Sequence, residues 1–155
     1  MKLYLVQHGE AYSKQDDPTR PLTEQGKADA NRLAVFLRQA GVKVEHVVHS
    51  GKLRAEQTAT RLVNAIAPGS KIEVHGSISP NDNPVTFAVR LKELPGDSLI
   101  VSHLPFIPGL IAHLIVGNKN SLITAFTPGT VACLEFTPEK NNWSLNWMIR
   151  PELFS

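Results

Sequence analysis

Lys2-Leu3-Tyr4-Leu5-Val6-Gln7-His8-Gly9 opens the chain with a short apolar run that ends on a histidine and a glycine. The run from Lys2 to Gln7 predicts a strand, and Gly9 suits a tight turn out of it. The prolines and acids of Asp16-Asp17-Pro18-Thr19-Arg20-Pro21 predict a loop. Thr23 then caps a helix whose Leu33, Phe36, Leu37 and Ala40 form one stripe, ended by Gly41. Strand, loop and helix at the start set a pattern that the chain repeats.

Val44 to His49 reads as a second strand, with Ser50 capping a second helix that turns Ala55, Ala59, Leu62 and Ile66 to one face. Lys71 to Val74 is a shorter strand, and Asn83-Pro84 starts a third helix with Phe87, Leu91 and Leu94 inward. Ser98 to Ser102 is a buried strand that delivers His103, and Pro105 opens a helix carrying Ile107, Leu110, Ile111 and Leu114. In the tail, Leu122 to Phe126, Val131 to Phe136 and Leu145 to Ile149 read as strands, the last two an antiparallel pair. Trp143 and Trp147, four apart in that last region, are expected on one face. The expected fold is α/β: a three-layer α/β/α sandwich with a mostly parallel central sheet and antiparallel edge strands.

Composition agrees with one domain spanning residues 1–155. The formal charge is only +2, which gives no broad basic footprint for nucleic acid. The one cysteine, Cys133, excludes an internal disulfide and reads as a packed core thiol. Leu3 to Val6 is far short of a signal peptide, and Phe106 to Val116 is too short and too broken by Pro108, Gly109 and His113 to span a bilayer. A cytoplasmic protein with neither nucleic acid nor membrane as partner is expected.

In open α/β sheets, ligands sit beyond the carboxyl ends of the strands. That rule selects His8, His49-Ser50 and Ser102-His103. Lys52 and Arg54 open the second helix, where a cation opposes the macrodipole unless an anion offsets it. Arg20 can reach the same edge. A neutral imidazole can take a phosphoryl group, and arginines bind its oxygens in bidentate fashion. The scheme requires no metal, and no P-loop pattern is present.

These residues resemble the histidine phosphatase superfamily. Gln7-His8-Gly9 resembles its Arg-His-Gly signature. Arg20-Pro21-Leu22-Thr23 with Gly26, then Ser50 with Leu53-Arg54-Ala55-Glu56-Gln57-Thr58, then Ser102-His103-Leu104-Pro105, are similar to SixA-type phosphohistidine phosphatases. The resemblance runs from Lys2 to about Pro151 and implies a phosphoglycerate mutase-like fold. It implies that His8 accepts the phosphoryl group, and that Arg54, His103 and Arg20, with Gln7 and Gly9, hold the phosphate. It further implies that no cofactor is used, and that the substrate is the phosphohistidine of a histidine-containing phosphotransfer domain in bacterial signalling or phosphotransferase systems.

Gln7 departs from the family pattern, because glutamine can donate to phosphate but carries no charge. One lost charge-assisted bond costs about 1.5–3 kcal/mol where nothing compensates. Three other readings stay open. His8, His49 and His103 could ligate a metal; the pocket could bind phosphoproteins without turnover; or the enzyme could be a general phosphomonoesterase. Glu10 and Asp82 are the acids available near the site, and His46 and His75 read as surface strand residues.

Overall fold

A single sheet runs in the order β3-β2-β4-β1-β5-β6 through the computed structural model, which describes residues 1–154. Its strands are β1 (Lys2–Gln7), β2 (His46–His49), β3 (Ile72–Val74), β4 (Ser98–Ser102), β5 (Val131–Thr137) and β6 (Asn142–Ile149). β1 to β4 pair in parallel, while β5 and β6 are antiparallel. The expected architecture is therefore the observed one.

The helices are α1 (Glu24–Gln39), α2 (Leu53–Ile66), α3 (Pro84–Arg90) and α4 (Phe106–Val116). Strand alternation divides the core into two halves. Tyr4 and Val6 of β1 face Leu33, Leu37, Ala59 and Leu62 of α1 and α2. Leu3 and Leu5 face Phe87 of α3 and Phe106, Ile107, Leu110 and Ile111 of α4. All five β4 residues are buried, as a central strand covered by helices on both faces requires. Cys133 is packed in the first of these halves, where burial raises its thiol pKa.

Thr23 caps α1 as expected, its side chain accepting the Gly26 N–H. Four local expectations are corrected. Leu122 to Phe126 is not a strand: Leu122 is 85% exposed. β1 and β5 already have partners on both sides, and Arg150 Nη2 donates to the Ala125 carbonyl at 2.8 Å. The third helix stops at Arg90 and tightens into a 3-10 turn at Leu91–Glu93, leaving Leu94 only partly buried.

Ser50 does not cap α2, because a left-handed Gly51 (φ +88°) turns the chain first and Lys52 takes the cap position. Trp143 and Trp147 lie on opposite faces. A register shift opposite Cys133 and Leu134 pairs Trp147 with Cys133 and Leu145 with Leu134. The extra residue reverses the alternation between them, so Trp147 packs beside Tyr4 and Phe36 while Trp143 packs on Phe136.

Candidate active site

Parallel pairing of β1 with β4 sets Gln7 opposite Ser102, so His8 and His103 leave neighbouring strands at one sheet edge. The His8 N–H donates to the Ser102 carbonyl at 3.1 Å and ties the two exits together. The imidazole centroids are 5.0 Å apart and the rings are tilted by 54°. Both rings line a cavity of about 360 Å³ with Gln7, Glu10, Arg20 and Arg54; Ala11, Pro80, Leu104 and Pro128 complete its wall.

Hydrogen bonding assigns the nitrogens of His8. Nδ1 lies 2.7 Å from the Gly9 carbonyl, and since a carbonyl can only accept, Nδ1 carries the proton. Nε2 is left with its lone pair, and Arg54 Nε donates to it from 3.3 Å. Burial, chiefly, lowers the His8 pKa to about 4; the Gly9 bond opposes this, and the charges of Arg54 and Arg20 add to it. At neutral pH the ring therefore keeps a free electron pair.

His103 is held from the other side. Its Nε2 is 2.5 Å from Ser50 Oγ, while its Nδ1 is buried with no partner. Burial first, then the positive charges of His8, Arg54, Lys52 and Arg20, lower its pKa to about 3.

Arg54 comes from the first turn of α2, where its charge opposes the helix dipole unless an anion is bound. Burial and then the Arg20 charge lower its pKa. Arg20 lies in the β1–α1 loop, which the Ala11–Leu22 bridge closes. Its backbone is left-handed (φ 49°), and its Nε donates to the Tyr12 carbonyl at 2.9 Å. The two guanidinium groups thus reach the cavity from separate elements.

Gly9 lies behind the cavity instead of lining it. Its N–H donates to Thr58 Oγ1 at 3.0 Å, and its carbonyl holds His8. A Cβ on Gly9 would stand 2.9 Å from the Gly26 carbonyl, and one on Gly26 would stand 2.1 Å from the Glu10 carbonyl. Two glycines therefore let α1 approach the turn that follows β1. Thr58 was missed as a supporting residue; the available signal was a polar side chain one helical turn after Arg54, on the apolar face of α2.

His49 does not line this cavity, and its Nδ1 accepts the Gly51 N–H at 3.0 Å. Among the described residues no three histidine, cysteine or acidic side chains are grouped to hold a metal ion, so the ligand set His8, His49 and His103 is not assembled. The Lys52 side chain lies outside the wall and acts on His103 through its charge. Glu10 lines the cavity, whereas Asp82 Oδ2 accepts the Ser79 N–H at 2.7 Å. His46 pairs with Glu73 at 3.2 Å and His75 packs on Phe87, both away from the cavity.

The cavity brings together a lone-pair imidazole, two guanidinium groups and two buried polar atoms without partners, Gln7 Oε1 and His103 Nδ1. Leaving such atoms unpaired costs roughly 1–3 kcal/mol each. The two guanidinium groups favour an anionic ligand, whose oxygens can accept from His103 Nδ1 where that nitrogen carries the proton; Gln7 Oε1, an acceptor, needs a donor.

The family model described as the histidine phosphatase superfamily (branch 1) matches residues 3–76. The chain is 29% identical to the phosphohistidine phosphatase SixA of Escherichia coli (strain K12), over 97% of this chain and 94% of that protein. It superposes on the protein histidine phosphatase SixA complexed with tungstate with a TM-score of 0.87, at 28% identity and over the whole of both chains. The alpha-ribazole phosphatase from Shigella flexneri shares the fold, with a TM-score of 0.82 at 19% identity over 97% of each chain. No helix among the described residues is long and apolar enough to cross a membrane. With the cavity geometry, these likenesses identify the chain as a phosphatase belonging to the histidine phosphatase superfamily.

Proposed function

We propose that this phosphatase acts as one domain and removes the phosphoryl group from protein phosphohistidine through a covalent intermediate on His8. The observation that carries this reading is the orientation of His8. Nδ1 is committed to Gly9, so only Nε2 can attack phosphorus, and Arg54 stands beside it.

In the first step His8 Nε2 forms a bond to phosphorus as the N–P bond of the substrate breaks. The departing imidazole keeps the electron pair and takes a proton from water. In the second step water attacks phosphorus, the bond to His8 breaks with its electron pair returning to Nε2, and inorganic phosphate leaves; the proton given up by the attacking water neutralises the hydroxide left by the first step. Arg54, Arg20 and His103 hold the phosphoryl oxygens while charge shifts between the two ends. Gln7 contributes a neutral amide contact, and Gly9 contributes the carbonyl that fixes the attacking nitrogen.

The leaving group supports phosphohistidine over an alcohol ester. Imidazole is far less basic than an alkoxide and needs less help from a general acid. Glu10 is the only acid on the cavity wall among the described residues, and its Oε1 already accepts from Thr23 Oγ1 at 2.8 Å. A histidine-containing phosphotransfer domain is the corresponding partner; the similar E. coli protein is a phosphohistidine phosphatase by name.

The test compares turnover of a phosphohistidine protein, a phosphohistidine peptide and p-nitrophenyl phosphate. Histidine-selective release is expected, with an acid-labile phosphoenzyme in the wild type and none in His8→Ala. Turnover retained in His8→Ala refutes the covalent route. Preference for the ester makes the protein a general phosphomonoesterase, and binding without turnover makes it a phosphoprotein-binding module, the reading that the uncharged Gln7 favours.

A further inference from the structure

Ser50 and His103 lie far apart in the chain and meet at the edge where β2 and β4 end side by side. Both are buried, at 8% and 1% exposure, so their hydrogen bonds must be satisfied by protein or ligand. Ser50 Oγ has two neighbours: the Lys52 N–H, which donates to it at 3.3 Å, and His103 Nε2 at 2.5 Å. The amide contact uses a lone pair of the hydroxyl, leaving the hydroxyl proton to be placed. Among the described contacts, the imidazole nitrogen is the one other polar atom within its reach, and it accepts when the ring is protonated on Nδ1.

We propose that Ser50 is a positioning residue that donates its hydroxyl proton to His103 Nε2 and thereby holds the neutral ring as the Nδ1–H tautomer. The otherwise unpartnered Nδ1 then presents a donor to a phosphoryl oxygen. The opposite tautomer would present a lone pair to an anion and repel it. Because the free-enzyme ring is neutral at pH 7, tautomer choice determines what His103 offers before the anion arrives. The paired imidazoles thus share one state, each protonated on Nδ1, but through opposite contacts: a carbonyl fixes His8 and a hydroxyl fixes His103.

This inference rests on His103 as an oxygen-binding group and not on which phosphorylated partner is used. Its direct test is nitrogen-15 NMR of the imidazoles in the unliganded wild-type protein, read at neutral pH. His103 protonated on Nδ1 is expected, and protonation on Nε2 overturns the proposal even if phosphohistidine turnover is normal.

The functional test measures competitive inhibition by inorganic phosphate in Ser50→Ala, His103→Ala and the double variant. Ser50→Ala is expected to weaken phosphate binding roughly 10-fold or more, as misplacing one hydrogen bond to a charged group does. Ser50→Thr keeps a hydroxyl and should recover most of that loss. In the His103→Ala background, removing Ser50 should add less than about 2-fold, since its target is gone. An equal loss in both backgrounds overturns the proposal and assigns Ser50 an independent role.

Discussion

Arg54 Nε points at His8 Nε2 from 3.3 Å, on the nitrogen left bare by the bond from Nδ1 to Gly9. The contact holds a cation beside the atom that would bond phosphorus, so attack and charge stabilisation share one geometry.

Arg54→Ala should therefore lower kcat/KM by roughly 100- to 1,000-fold, the usual cost of one preorganised donor at a developing charge. Arg54→Lys should recover only part of this, because an ammonium lacks the planar fork. Steady-state kinetics of the two variants will check it, and wild-type rates in Arg54→Ala would remove Arg54 from the chemistry.

Acid titration gives a second prediction. His8 and His103 have pKa values near 4 and 3 in the fold, against about 6.5 in an unfolded chain. Between those limits the unfolded state binds more protons, so stability rises with pH and falls on acidification from about 6.5 towards the folded values. For His8 alone the loss is on the order of 3 kcal/mol. Denaturant melts between pH 7 and 4 should show a shallower decline in His8→Asn, and an NMR midpoint for His8 near 6.5 would contradict the burial argument.

Gln7→Arg should restore a charge at the cavity wall. Gln7 is 6% exposed and its Oε1 has no partner, so the gain depends on a guanidinium reaching the bound anion. Where it does, phosphate binding should tighten by about 10-fold, the effect of a charge-assisted bond. Inhibition by inorganic phosphate measures this, and weaker binding would mean that Arg20 and Arg54 already supply all the charge the site accommodates.

Gly26→Ala should destabilise the fold by more than about 3 kcal/mol, the upper end of ordinary overpacking. Its Cβ would meet backbone, the Glu10 carbonyl at 2.1 Å, and backbone cannot swing aside as a side chain can. Urea denaturation tests it; a variant as stable as wild type would show that α1 is free to move away from the β1 turn.

Most of the architecture follows from local pattern. The apolar run from Leu3 to Val6, the Thr23 cap and the buried Ser98–Ser102 strand are each legible within a few residues. Their alternation implies the layers, because parallel strands need crossovers and helices must cover them. The failures have a common cause. Ser50 has cap chemistry, but the left-handed Gly51 moves the cap position on to Lys52, and Ser50 meets His103 instead. Trp143 and Trp147 obey the even spacing of a strand, but the added residue between them reverses the face. Leu122 to Phe126 has strand composition but joins no sheet edge, and Leu122 and Ile123 stay exposed.

The covalent chain alone dictated where most strands and helices form and which histidines stand at strand ends, since propensity, capping and periodicity act over neighbouring residues. Pairing across the sheet decided the rest: that His8 and His103 face each other, that Arg20 and Arg54 enter one cavity, and that His49 does not. Those relationships depend on register and on the direction in which each side chain leaves its strand or helix, and they exist only once the layers have packed.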